Sequence, residues 1–226
     1  MKLFVAPMFC AGLTASALAV AAEDWLPPLP AWQGSSEALI KGRADNWVTP
    51  AELTGLTDSP DYAATLAYMQ ALVDSSDWLQ LEQFGISPQG RALYLIKASK
   101  ALHKIANNPA RPLLLVQAGI HSGEIDGKDA GLMLLRDIAH GSKAALLDNA
   151  DLLFIPILSP DGHERRALYN RMNQRGPLQQ GWRATAQNLN LNRDYAKADA
   201  PEMQALLGVI NQYQPDLYID VHVTDG

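Results

Sequence analysis

Pro112-Leu113-Leu114-Leu115-Val116-Gln117-Ala118-Gly119-Ile120-His121-Ser122-Gly123-Glu124 runs from an aliphatic stretch straight into a polar turn. A short apolar run without polar alternation suits a strand buried on both faces of a parallel sheet. His121 then falls just past the carboxyl end of that strand, which is where open α/β sheets bind ligands.

The flanking segments repeat this pattern. Asp126 to His140 reads as a helix with Ala130, Met133, Leu134 and Ile138 as its apolar stripe and Gly141 as its stop. Leu152 to Leu158 is a second apolar strand, ending in the turn chemistry of Ser159-Pro160-Asp161-Gly162. Asn170 to Asn192 is Gly- and Asn-rich, loop-like and longer than most compact connections. Pro201-Glu202 opens another helix to about Tyr213, and Pro215 precedes the last strand.

Upstream, Ser59-Pro60-Asp61 begins a helix over about 60–75, with Ser59 as N-cap and Pro60 at the first helical position. Leu79 to Gln83 and Ala92 to Lys97 read as two strands joined by a turn over Gly85 to Gly90. The predicted class is α/β, a mainly parallel or mixed open sheet with helices on both faces.

A chain of 226 residues with 48% apolar positions can bury one sizeable core and does not require two domains. Residues 1–22 have the charged start, apolar run and small-residue end of a secretory signal, with cleavage expected after Ala21 or Ala22. Residues 23–59, rich in Pro and Trp, read as an arm lying on the domain, and residues 60–226 as the domain itself. The only cysteine, Cys10, lies in the leader, so a mature chain would have neither thiol nor disulfide. No stretch reaches the length and apolarity of a strong spanning helix, which predicts a secreted or periplasmic protein without a transmembrane anchor. A formal net charge of −6 gives no support to nucleic-acid binding.

The chemistry gathers at strand ends. In the last strand Asp216, Tyr218, Asp220 and His222 alternate with Leu217, Ile219, Val221 and Val223, so the polar set shares one face. His121, Glu124 and His222 match the count of a catalytic zinc site, which typically has three protein ligands and a fourth position for water. Asp220, on the His222 face, suits a site floor or an orienting hydrogen bond to a ligand. His103, His140 and His163 read as solvent-facing, and Arg165 with Arg166 as an exposed charged patch.

With Asn190-Leu191-Asn192-Arg193-Asp194-Tyr195 added between them, these motifs make the chain resemble zinc metallocarboxypeptidases of the carboxypeptidase A/B type, over roughly Trp78 to Gly226. The resemblance implies one Zn2+ held by His121, Glu124 and His222. It implies that Asn192 and Arg193 hold the substrate's terminal carboxylate, which a planar guanidinium fork suits. It also implies an upstream arginine beside the scissile carbonyl: Arg171, with Arg175 as the alternative and Arg183 as a more distant third. The implied partner is a peptide or peptide-like substrate with a free C-terminal carboxylate.

Two departures follow from the same comparison of motifs. The family's general base, a glutamate, lies beyond the third ligand, and no such position exists before Gly226. The expectation is an N-terminal portion with a fold incomplete at its C-terminus, weak zinc retention and little turnover alone. Asn190 also stands where the family often has an aspartate hydrogen-bonded to the first ligand histidine, and an amide raises that ligand's basicity less. The alternatives are a zinc deacylase of N-acyl amino acids, an amidase trimming cell-wall peptides, and a non-catalytic binder of peptide C-termini.

Overall fold

The computed structural model of the chain describes residues 33–105, 111–172, 174 and 176–223. The leader, Cys10 and Arg175 lie outside the described residues. Ser35–Leu39 forms a single 3-10 turn within a first unit ending at Leu39, and Ile40 opens the compact unit that carries everything below.

In chain order that unit contains α1 (Pro50–Leu53), α2 (Tyr62–Asp74), β1 (Leu79–Ile86), β2 (Ala92–Ala98), β3 (Leu113–Gln117), α3 (Asp126–His140), β4 (Asp151–Ile155), α4 (Pro160–Glu164), α5 (Pro201–Tyr213) and β5 (Leu217–Asp220). The sheet order is β1-β2-β4-β3-β5. β3 pairs parallel with both β4 and β5, while β2 runs antiparallel to β4 and to β1. This is the mixed open sheet expected from the sequence.

Both faces are covered. Leu113 and Leu115 of β3, with Leu153 and Ile155 of β4, pack against Met203, Leu206, Val209 and Tyr213 of α5. On the other face Ile96 and Phe154 meet Met69 and Leu72 of α2 and Leu132, Leu135 and Ile138 of α3. Leu115 is fully buried, and each such aliphatic side chain contributes roughly 1.5–3 kcal/mol of transfer free energy. The unbroken Leu-Leu-Leu-Val run is therefore the signature of a strand with a helix layer on either side.

Two local readings differ from the sequence expectation. The cap of α2 is Asp61, not Ser59: its Oδ1 accepts the Ala64 N–H at 2.7 Å, a stronger, charge-assisted bond at a helix N-terminus. Ser159-Pro160-Asp161-Gly162 opens the short helix α4 instead of a bare turn, because Pro160 is preset for the first helical position and His163 N–H bonds Ser159 O at 2.9 Å.

The sheet positions the site through its parallel register. Gln117 of β3 lies level with Ile155 of β4 and Asp220 of β5, so three strand ends open side by side. Past them, Leu158 N–H bonds Ala118 O at 3.1 Å and Ser159 N–H bonds Gly119 O at 3.1 Å, fixing the turn that leads to His121. Gly119 makes that turn at φ +68, and a Cβ there would come within 3.1 Å of Pro156 O. Both the left-handed backbone and the close approach favour glycine.

Candidate metal centre

The His121–Glu124 turn closes on itself through Glu124 N–H to His121 O at 2.9 Å. Ser122 Oγ ties it to the neighbouring strand end by donating to Ser159 O at 2.7 Å. A Cβ at Gly123 would stand 2.7 Å from Arg171 Cγ, so glycine lets the Arg171 stretch of the following loop lie directly on the turn. That loop is held by Gln180, whose Oε1 accepts the Arg171 N–H at 2.8 Å.

His121, Glu124 and His222 come together, each offering one ligand atom within 4.8 Å of the others. Glu124 Oε1 lies 3.0 Å from His121 Nδ1, and Glu124 Oε2 lies 2.9 Å from His222 Nδ1. The Val223 N–H also reaches Oε2, at 3.2 Å. Glu124 is buried, which disfavours its charge, but donation from His121 and His222, which requires a proton on each Nδ1, together with the Val223 N–H outweighs burial and holds its carboxyl at about 2.

The far side of each imidazole faces an acceptor. His121 Nε2 lies 3.1 Å from Asn190 Oδ1, and His222 Nε2 lies 3.0 Å from Asp220 Oδ2. The Asn190 amide orientation is fixed because the same Oδ1 accepts the Asn192 N–H at 3.1 Å. Asp220, as a carboxylate, only accepts. Both histidines therefore place their Nε2–H outward, and a neutral ring then has only a lone pair at Nδ1.

Two such lone pairs and a carboxylate aimed at one another repel unless both rings become imidazolium or a cation sits among them. The donor set, two imidazole nitrogens and a carboxylate, is one that suits zinc. The outward hydrogen bonds are those that orient metal-bound histidines. The residues thus fit a metal ion.

Two arginines border the cluster. Arg171 is buried with its Nη2 3.0 Å from Glu124 Oε1, while the half-exposed Arg183 places Nη1 3.6 Å from the same oxygen. Arg183, the third choice from sequence, is therefore close to the cluster too. Asn192 and Arg193 occupy the 3-10 turn Leu191–Arg193, immediately after Asn190. Arg193 is exposed and its Nη1 donates to Asn192 O at 2.8 Å.

His163 corrects the sequence reading. It is buried, not solvent-facing, with Nε2 3.1 Å from Lys128 Nζ and Nδ1 2.9 Å from Glu164 Oε1. Arg166 likewise departs from an exposed patch, since it reaches Asp58 Oδ1 at 3.2 Å and Ser59 O at 2.9 Å. His103 and His140 are exposed, as expected. Gln180 and Ser122 carried no signal in the sequence, because polar residues in a loop and a turn look alike until their partners are known.

The family model for zinc carboxypeptidase matches residues 65–226. Carboxypeptidase 2 of Trichophyton rubrum is 27% identical over 171 residues, which is 74% of this chain and 29% of that protein. The chain thus spans well under half the length of this curated relative. Among solved structures, carboxypeptidase A from Helicoverpa armigera superposes with a TM-score of 0.58 at 20% identity, covering 73% of this chain and 46% of that one. A metallo-carboxypeptidase from Burkholderia cenocepacia gives 0.55 at 20% identity, covering 73% and 40%. Those two likenesses carry the fold, and the family match carries the membership: this chain belongs to the zinc carboxypeptidase family.

Proposed function

We propose that this chain carries the metal-holding and carboxylate-recognising part of a metallocarboxypeptidase that removes the C-terminal residue of peptides, acting outside the cytoplasm after loss of residues 1–22. The observation that carries the reading is the pairing of both His Nδ1 atoms with Glu124 while both Nε2 atoms face acceptors. In this reading His121, Glu124 and His222 hold one zinc ion, which when bound supplies Lewis-acid polarisation of a carbonyl and makes water a stronger acid. No helix among the described residues is long and apolar enough to cross a membrane.

The remaining work falls to the chain's own side chains. Glu124 has both oxygens engaged and serves as a ligand, not as a proton shuttle. Arg171, already at the cluster, offers its cation to negative charge developing on the scissile carbonyl oxygen. Asn192 and Arg193, in the turn capped by the His121 partner Asn190, bind the terminal carboxylate by charge-assisted hydrogen bonds. A free carboxylate is thereby placed a fixed distance from the polarised bond, which is the geometric basis of exopeptidase selectivity.

The test compares peptides with free and amidated C-termini. Arg193→Ala is expected to weaken binding of the free peptide at least tenfold while leaving the amidated one nearly unchanged. Equal losses for both peptides would remove Arg193 from carboxylate recognition.

A further inference from the structure

A line of hydrogen bonds leads from His222 back into the sheet. Asp220 Oδ2, 3.0 Å from His222 Nε2, lies 3.2 Å from Tyr195 OH. Tyr195 OH is 2.6 Å from Tyr218 OH, and Tyr218 OH is 2.8 Å from Gln117 Oε1. The two phenol rings pack edge to face, 6.4 Å apart at 62°. Gln117 ends β3, Tyr218 and Asp220 share one face of β5, and Tyr195 follows the turn that holds Asn190.

Proton counting fixes the direction of this line. The three contacts Asp220–Tyr195, Tyr195–Tyr218 and Tyr218–Gln117 need three protons, and two phenols supply two. Gln117 is fully buried and its Nε2 has no partner among the described residues. Amide oxygen and nitrogen are interchangeable in shape. Turning the Gln117 amide over supplies the third proton: Nε2–H to the Tyr218 oxygen, Tyr218 O–H to the Tyr195 oxygen, Tyr195 O–H to Asp220 Oδ2. The amide oxygen is then the group without a partner, which a buried carbonyl tolerates better than a buried N–H. Burial raises both phenols above their ordinary range, so both remain donors.

We propose that Tyr195 is a positioning residue for the metal centre: through Asp220 it fixes the His222 ring so that Nε2 donates outward and Nδ1 is presented to the ion. This rests on the zinc reading above. One short segment then orients both histidines, Asn190 acting on His121 and Tyr195 acting on His222 through Asp220. The segment's place between the two apolar strands gives it a task beyond holding a substrate carboxylate.

Tyr195→Phe removes one hydroxyl and keeps the ring. Zinc affinity of the full chain, read by competition with a chromophoric chelator, is expected to fall about 10-fold or more, the usual range for an orienting partner. The visible absorption of the cobalt-substituted protein is expected to shift, which a merely destabilised fold would not produce, while the unfolding midpoint of the metal-free chain falls only by the modest amount that leaving the Tyr218 O–H without its acceptor brings. Asp220→Asn should lose affinity too, and adding Tyr195→Phe to it should cost little more.

Wild-type affinity and an unshifted cobalt spectrum in Tyr195→Phe would overturn the proposal, as would full additivity of the two losses. If wild type itself takes up no zinc, the metal reading fails and this inference with it. If wild type binds and Tyr195→Phe binds equally, only this inference fails. Should Tyr195→Phe not fold, Tyr218→Phe probes the same line one bond farther out: a loss of several-fold supports the proposal, and unchanged affinity overturns it.

Discussion

Asn190 Oδ1 accepts from two directions at once, from His121 Nε2 at 3.1 Å and from the Asn192 N–H at 3.1 Å. The amide thereby sets the tautomer of the first histidine and the shape of the turn carrying Asn192 and Arg193. Asn190→Ala is expected to lower zinc affinity about 10- to 100-fold. Asn190→Asp keeps both bonds and adds negative charge behind the ring, so affinity should rise above wild type. Isothermal titration with zinc checks both, and Asn190→Ala binding as tightly as wild type would detach this residue from the site.

Far from the cluster, Arg136 donates Nη1 to both Glu52 oxygens, at 2.8 and 2.6 Å, and Nε to Asp137 at 2.9 Å. Both Arg136 and Glu52 are buried, and Glu52 also forms the capping box of α1 with Thr49. Glu52→Ala takes two charge-assisted bonds from the buried Arg136, which keeps Asp137, and breaks the α1 cap, so it should cost about 3 kcal/mol. Chemical denaturation at neutral pH measures this, and a change below about 1 kcal/mol would contradict the pairing.

His163 makes the fold acid-sensitive. Burial, with the Lys128 cation beside it, pushes its imidazole down from 6.5 to about 4. Between those values the unfolded chain takes up a proton that the folded chain refuses, so stability should fall as pH drops from 6.5 to 4, by on the order of 3 kcal/mol. Glu164, bonded to His163, is held at about 2 instead of 4.5, and its contribution is lost only below pH 4.5. His163→Gln accepts from Lys128 and donates to Glu164 without titrating. It is expected to abolish the slope between pH 6.5 and 4.5, and denaturation curves across that range would show an unchanged slope if His163 were not its source.

The sheet and both strand-end histidines were legible because each rests on a local pattern. Leu113 to Val116 is continuously apolar because it is buried twice, and β5 alternates because one face is polar. His163 was misread because its partner Lys128, itself tied to Pro60 O, comes from the start of α3, which no local pattern brings near it. The same limit applies to Tyr195. Period two puts Tyr218 and Asp220 on one face, but only the folded loop delivers a second phenol to them.

The most direct measurement is the zinc content of the purified chain, wild type beside His121→Ala and His222→Ala, by atomic absorption after loading with zinc and rapid gel filtration. The geometry predicts about one equivalent in wild type and loss in both variants. Zinc retained by both variants, or absent from a folded wild type, would contradict a metal centre built on His121, Glu124 and His222.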